Sequence, residues 1–143
     1  MGPLDGYLPY LLNRAGARIA SAFGEEMRGL GTSLQAWRVL AALRERDGRR
    51  MGDLSTTTSI EVSTLTRLVD NMEKTGLVAR RRDANDTRAV LLHVTAAGRR
   101  LTRRILPIAE RSETVALKGF GAAEADVLKA ALRRLYANMD DLA

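Results

Sequence analysis

Residues 62–98 read VSTLTRLVDNMEKTGLVARRRDANDTRAVLLHVTAAG, and the spacing of their apolar residues changes partway along. In the first part the spacing is helical, with an apolar face made of Val62, Leu65, Val69 and Met72. Gly76 ends this helix, and the period then shortens from about 3.6 to about 2 residues, which predicts strands over 77–81 and 89–94. Between them, Asp83-Ala84-Asn85-Asp86 is typical of a turn. The stretch therefore predicts a helix followed by a small β-hairpin.

The sequence on either side of this stretch is mainly helical. A capping box that starts at Thr32 opens one helix, and Gly48 ends it. Residues 51–58 are ambiguous, because their serine and threonines are weak helix formers and a helix there depends on tertiary packing. In the long helix after the hairpin, Pro107 should introduce a kink. The other predicted helices are 8–29, 96–118 and 122–141.

The order of these elements is typical of a winged helix-turn-helix, in which two helices joined by a tight turn precede a hairpin. The predicted fold is therefore mainly α with a small β-hairpin wing. Residues 32–95 form the DNA-binding region, and residues 1–31 and 96–143 flank it within one intertwined domain. Because the flanking helices carry more apolar surface than one small winged domain covers, we expect them to be the dimerisation helices of a homodimer.

The basic charge of the chain is concentrated in one segment. The net charge is +6, and 20 of the 23 basic residues are arginines. Residues 78–104 alone carry eight arginines and two aspartates. A basic block within an otherwise near-neutral chain favours a polyanionic partner over a merely solvated basic surface.

Three segments resemble the MarR family of bacterial transcription regulators. Residues 86–95 read DTRAVLLHVT and are followed by Gly98, residues 63–78 run from STLTRLVD to GLV, and residues 37–40 read WRVL. The resemblance spans nearly the whole chain. It implies a homodimer that binds a pseudo-palindromic operator in double-stranded DNA, usually as a repressor. Two positions depart from the family pattern: Ser59 stands where the family usually has glycine, and Glu61 where it usually has a serine, aspartate or asparagine cap.

One face of the predicted recognition helix suits hydrogen bonding to base edges in the major groove. It carries short polar side chains and one arginine, namely Ser63, Thr64, Arg67 and Asn71. Arg67 is suited to bidentate pairing with a guanine. Alternatively, Ser63 and Thr64 only cap the helix, and Arg67 contacts phosphate or forms an ion pair with Asp70.

The hairpin predicts a second contact with DNA. Arginines at or near its tip would meet phosphates or enter the minor groove, and they are Arg80, Arg81, Arg82 and Arg88. Neighbouring strand residues point to opposite faces, so not all four can reach DNA. By the resemblance, Asp86 braces an arginine and Arg88 reaches DNA; otherwise Asp86 is a plain turn residue. The four arginines of the following helix, at 99, 100, 103 and 104, are expected mostly in solvent.

The resemblance also implies a small-molecule effector, such as an aromatic or phenolic acid, bound between the dimerisation helices and the winged region. The candidate ligand-binding residues are Tyr7, Tyr10, Arg14, Arg18 and Trp37. Arginine together with aromatic rings suits an anionic aromatic compound. Alternatively, Trp37 belongs to the core and the arginines to the surface.

Other functional classes find little support in the sequence. The sequence has no cysteine, which excludes thiol chemistry. It has a single histidine, His93, which excludes the metal motifs that need two histidines, and we predict no metal site and no cofactor. No glycine-rich phosphate loop or paired carboxylates indicate an enzyme. No apolar run approaches about 18 residues and the start of the chain makes a poor signal peptide, so we expect a cytoplasmic protein without a membrane partner.

Two alternatives to a specific regulator remain open. A sequence-neutral, structural nucleic-acid-binding protein would use the same basic block, but it has no need of an uncharged polar helix face. A helical protein–protein module with a degenerate winged domain has no need of a basic wing.

Overall fold

The computed structural model describes residues 2–142, and within that range it contains six α-helices and one two-stranded sheet. The prediction of a mainly α fold with a β-hairpin wing is confirmed, and the ambiguous residues 51–58 are helical. The chain divides into two compact units, one ending at Ala109 and one beginning at Glu110. In chain order the elements are α1 (Leu8–Gly29), α2 (Leu34–Glu45), α3 (Met51–Thr58), α4 (Val62–Lys74), β1 (Val78–Arg82), β2 (Val90–Val94), α5 (Ala96–Ala116), α6 (Ala122–Asn138) and a 3-10 turn (Met139–Leu142).

The core of the first unit joins the helices to the base of the hairpin. It is lined by side chains that are fully buried or nearly so, including Met27, Val39, Leu40, Leu43, Leu54, Leu65, Val69, Met72, Val78, Leu92 and Ile105. The apolar face predicted for α4 supplies three of them, whereas Val62 at its start is exposed. Burial of a side chain of this size contributes about 1.5–3 kcal/mol, so this core fixes the orientation of α4 relative to its neighbours.

The hairpin is antiparallel, with Val78 opposite Val94 and Arg80 opposite Leu92. Its base packs tightly against the start of α5, where Gly98 is buried. A Cβ atom at Gly98 would collide with the carbonyl of Leu77 and the side chain of Val94. Only glycine therefore fits where α5 leaves the wing.

The turn between α3 and α4 has a left-handed residue. Ser59 adopts φ 57° and ψ 31°, and it is the one non-glycine residue with positive φ in the described range. This conformation favours glycine, which explains physically why a glycine is expected there. The Ser55 hydroxyl donates to the carbonyl of Ile60 at 2.6 Å and bridges this turn.

Some local predictions differ from the structure, mostly by one to three residues at the ends of elements. The cap of α2 is Ser33 rather than Thr32, because the Ser33 hydroxyl accepts the Ala36 N–H at 3.1 Å. Both residues are good caps, so the sequence alone does not separate them. The last helix ends at Asn138 instead of continuing to residue 141, and a 3-10 turn follows it.

Long helical surfaces are left uncovered in both units. In the second unit α6 has no buried residue, and a Lys129–Glu113 ion pair of 2.8 Å links it to the end of α5. In the first unit, α1 exposes apolar side chains from its N-terminus to its middle, including Leu8, Leu11, Leu12 and Ile19. None of the helices described is both long and apolar enough to cross a membrane.

Candidate nucleic-acid interface

The helix-turn-helix is held in place by a buried arginine before α3. Arg49 is only 8% exposed, and its backbone pairs with Leu92 of β2 in an isolated bridge. Its guanidinium donates to the Thr57 hydroxyl at 3.0 Å and to the carbonyl of Arg46 at 3.1 Å. Arg49 thus ties α2, α3 and the hairpin together. Sequence analysis missed this residue, since nothing separates its charge from that of its basic neighbours.

The predicted reading face of α4 is open to solvent. Ser63, Arg67 and Asn71 are exposed and Thr64 is half-buried. Within the described part of the chain, no ion pair or hydrogen bond engages the guanidinium of Arg67. The alternative ion pair between Arg67 and Asp70 is wrong, because Asp70 binds Arg80 instead. An exposed arginine among short polar groups is free to hydrogen-bond with a base edge.

Two further observations describe this face. Glu61 is the N-cap of α4, and its side chain makes no capping hydrogen bond, nor do Ser63 and Thr64 cap the helix. Three of the four predicted residues, Thr64, Arg67 and Asn71, line one open groove of about 660 Å³ beside the α1–α2 turn. The structure therefore brings them together on one surface.

The tip of the wing is exposed and held by short-range contacts. Arg88 is 95% exposed, and its Nε atom lies 3.7 Å from the Asp86 carboxylate. Asp86 also accepts the backbone N–H of Arg88 at 3.1 Å and lies 3.7 Å from Arg50, ahead of α3. Asp86 thus contacts two arginines, one of them outside the wing. Arg81 is exposed, while Arg82 donates to the carbonyl of Thr87 at 2.7 Å across the turn.

Arg80 differs from the other wing arginines. Its Nη1 atom donates to Glu73 at 2.9 Å and its Nη2 atom to Asp70 at 2.7 Å. Its backbone N–H donates to the second oxygen of Glu73 at 3.0 Å. The two bonds to Glu73, first the one from the backbone N–H of Arg80 and then the one from its guanidinium, lower the pKa of Glu73 below its usual value. Burial alone lowers the pKa of Arg80, but the hydrogen bonds to Asp70 and Glu73 outweigh it and raise that pKa.

A basic cavity of about 280 Å³ lies between α2, β2 and α5. Its apolar lining comes from Leu40, Leu43 and Val94, and its charged lining from Arg44, Asp47, Arg99 and Arg103. Asp47 accepts the backbone N–H of Val94 at 2.9 Å and lies 3.6 Å from Arg99. It also lies 3.4 Å from His93, which is 28% exposed. The prediction of solvated arginines in α5 did not anticipate this cavity.

The residues predicted to bind an effector are distributed over two places. Tyr7, the N-cap of α1, and Arg14 and Arg18 within the helix are exposed. The Arg14 guanidinium lies 5.3 Å from the centre of the half-buried Tyr10 ring. Trp37 packs against Phe23 at a ring-centre distance of 6.4 Å and contacts the core. It also lines a third cavity, between α2 and α3. The structure thus pairs Tyr10 with Arg14 and places Trp37 largely in packing contacts.

Comparison with known proteins adds to this geometry. The model of the MarR family matches residues 30–89. A MarR-family transcriptional regulator from Silicibacter pomeroyi is 34% identical; the match covers 95% of this chain and 92% of that chain with a TM-score of 0.85. BpsR of Bordetella bronchiseptica, whose DNA binding is regulated by 6-hydroxynicotinic acid, is 25% identical over 95% of this chain and 96% of its own, with a TM-score of 0.85.

A curated relative extends the comparison. The HTH-type transcriptional repressor IacR of Pseudomonas putida is 24% identical over 133 residues, which are 93% of this chain and 80% of IacR. Two observations indicate the same family. One is the winged helix-turn-helix of the structure, and the other is the 34% identity to a MarR-family regulator matched over nearly its full length. Together they show that this chain belongs to the MarR family of DNA-binding transcriptional regulators.

Proposed function

We propose that this protein is a sequence-specific repressor that binds a pseudo-palindromic operator in double-stranded DNA. The observation that carries the proposal is the exposed polar face of α4, where Arg67 has no acidic partner among the described residues. Ser63, Arg67 and Asn71 would contact base edges, with Thr64 at the margin of the same face. Arg81 and Arg88 of the exposed wing would contact phosphates or the minor groove. The repressor role is supported by the similarity to IacR.

We also propose that the protein acts as a homodimer through its terminal helices, residues 1–31 and 96–143, which flank the DNA-binding region at 32–95. The proposal is supported by the exposed apolar side chains of α1 and by α6, which has no buried residue. A surface of this kind on a small protein is usually covered by a partner. In a two-fold dimer, the two copies of α4 would lie about 34 Å apart, one turn of DNA.

A selection from genomic DNA tests the repressor proposal. Sheared DNA from the source organism is incubated with the purified protein and excess competitor at physiological salt, and the retained fragments are sequenced. We expect enrichment of a pseudo-palindrome with half-sites about ten base pairs apart. Retention without an enriched site would favour the sequence-neutral binder instead. An absence of retention would contradict both and leave the protein–protein module.

We propose as effector a small organic anion with an aromatic body, the class that includes 6-hydroxynicotinic acid, which regulates the DNA binding of BpsR. The cavity of Arg44, Arg99 and Arg103 supports this class, because guanidinium groups pair with a carboxylate while Leu40 and Leu43 contact the ring. The residues at and after the start of α1, Tyr7, Tyr10, Arg14 and Arg18, with Trp37, are a second candidate site.

Three arginine variants separate the two candidate sites. Release of a fluorescent operator duplex is titrated with 6-hydroxynicotinate and with 4-hydroxybenzoate as probes. Arg103→Ala should raise the concentration needed for release about tenfold or more, while Arg104→Ala, on the same helix but outside the cavity lining, should not. A shift in Arg14→Ala alone would instead assign the site to α1. Release that none of the three variants alters would contradict both sites.

A further inference from the structure

One wing arginine faces the protein rather than the solvent. Arg80 lies opposite Leu92 in the hairpin, and directly paired residues project from the same face of a sheet. Leu92 is 1% exposed, so this face is the one that packs on the core. Arg81, the next residue, pairs with Leu91 on the other face and is exposed. Strand alternation therefore places two adjacent arginines on opposite faces of the hairpin.

The groups facing Arg80 belong to the last turns of α4. Glu73 accepts two bonds from Arg80, one from the guanidinium and one from the backbone N–H, and Asp70 accepts a third. Bonds to both the backbone and the side chain of one residue fix the direction of the strand as well as its distance from the helix. The Arg80 side chain is 28% exposed, whereas that of Arg88 at the tip is 95% exposed.

The charge of this cluster disfavours contact with DNA. One guanidinium faces two carboxylates, so the group of Arg80, Asp70 and Glu73 carries a net negative charge at neutral pH. A phosphate would have to displace a carboxylate from Arg80 and then lie beside that carboxylate. Arg81 and Arg88 face no comparable pair of carboxylates within the described residues.

We infer that Arg80 is a positioning residue whose guanidinium locks the wing to the recognition helix α4 through Asp70 and Glu73, and that it does not bind phosphate. The inference rests on the proposed function in one respect, namely that α4 and the wing contact the same duplex. With the lock in place, the wing is held at a fixed angle to α4 before DNA arrives. Loss of the lock adds an ordering cost to binding.

Substitution of the two carboxylates tests the inference, because the two explanations predict opposite changes in DNA affinity. If Asp70 and Glu73 have no positioning role, removing a negative charge close to DNA should strengthen binding to the polyanion. If they hold Arg80, Asp70→Asn and Glu73→Gln should weaken binding, even though each makes the protein more positive. A loss of stability would not by itself weaken binding in this way, because the affinity is measured on fully folded protein.

The experiment compares full-length variants by fluorescence anisotropy on one duplex over a series of salt concentrations. Arg80→Ala should weaken binding about tenfold while leaving the dependence of log K on log salt unchanged. The matched control Arg81→Ala, one residue away on the exposed face, should lower that slope by about one unit. Arg80→Ala combined with Asp70→Asn should bind no more weakly than Arg80→Ala alone, because both changes break the same contact. Circular dichroism confirms that each variant is folded at the temperature of the titration.

Each result decides the question. A slope that falls by about one unit in Arg80→Ala, or tighter or unchanged binding by Asp70→Asn and Glu73→Gln, would overturn the inference and make Arg80 a phosphate contact or a bystander. Arg80→Lys adds a further readout, because lysine keeps the charge without the two-pronged geometry and should restore only part of the affinity. If the wild-type protein binds no duplex at all, the proposed function itself fails, a result clearly different from a changed slope.

Discussion

The base and the tip of the wing are built from the same kinds of residue but are held in different ways. At the base, the Thr95 hydroxyl donates to the carbonyl of Gly76 at 2.6 Å, and Arg80 binds two carboxylates of α4. At the tip, most hydrogen bonds stay within the turn, as between the Asp83 N–H and the carbonyl of Ala89 at 3.0 Å. The number of arginines does not distinguish the two regions. They differ in the acidic and apolar groups that face each arginine.

The largest effect on stability is expected at the base. Gly98→Ala should lower the free energy of unfolding by about 1–3 kcal/mol. The added methyl group would meet the backbone carbonyl of Leu77, and a backbone group cannot move away without shifting the hairpin. Urea denaturation measures the change. Gly52→Ala, in the first turn of α3 where an added Cβ meets no neighbouring atom, is the matched control and should raise stability by up to about 1 kcal/mol. Equal effects of the two changes would show that the base is not tightly packed.

A pH effect of intermediate size is expected from Glu73. Its pKa in the folded protein lies below the usual 4.5, so its carboxylate contributes stability above that pH, and the contribution is lost as the pH falls through the lowered pKa. Glu73→Gln should therefore destabilise the protein near neutral pH and have progressively less effect as the pH falls below 4.5 and through the lowered pKa of Glu73. Urea midpoints measured across this range provide the test. In an Arg80→Ala background the pH dependence of the Glu73→Gln effect should be smaller, and an undiminished one would point to another partner.

The smallest effect on stability is expected at the tip. Arg88→Ala should change the free energy of unfolding by less than about 0.5 kcal/mol, because the side chain is almost fully exposed. The same variant should lower the salt slope of DNA binding by about one unit through loss of one phosphate contact. An unaltered slope would remove Arg88 from the proposed interface and leave the contrast between base and tip without a functional meaning.

The comparison also explains which parts of the fold could be predicted. The change of period near Gly76 correctly indicated α4 and the hairpin, because their apolar faces are fixed by burial of residues such as Leu65 and Leu92. Helix α3 could not be assigned from local preference. It forms because Leu54 is fully buried and the Thr58 hydroxyl bonds back to the Leu54 carbonyl at 2.6 Å, which are results of packing rather than of propensity.

The sequence predicts which residues of the candidate site are exposed on α4, but it does not predict the contacts that the other residues of the site make. The polar pattern of α4 predicted an exposed face, and the structure exposes Ser63, Arg67 and Asn71. The partners of Arg80 lie seven and ten residues earlier in the chain, on a helix whose angle to the strand is set by the core. The contacts of Arg49 and Asp47 likewise join segments that only the tertiary fold brings together.

Helix α4 is proposed to distinguish base sequences through its exposed face, and Arg67 is the side chain on that face best suited to do so. The measurement is the ratio of dissociation constants for the enriched operator and a scrambled duplex of the same length, at one salt concentration, for wild type and Arg67→Ala. We expect a ratio of about 10³ or more for the wild type. For Arg67→Ala we expect a ratio about ten- to a hundredfold lower, with the protein still folded. An unchanged ratio would contradict the assignment of α4 as the element that recognises the operator.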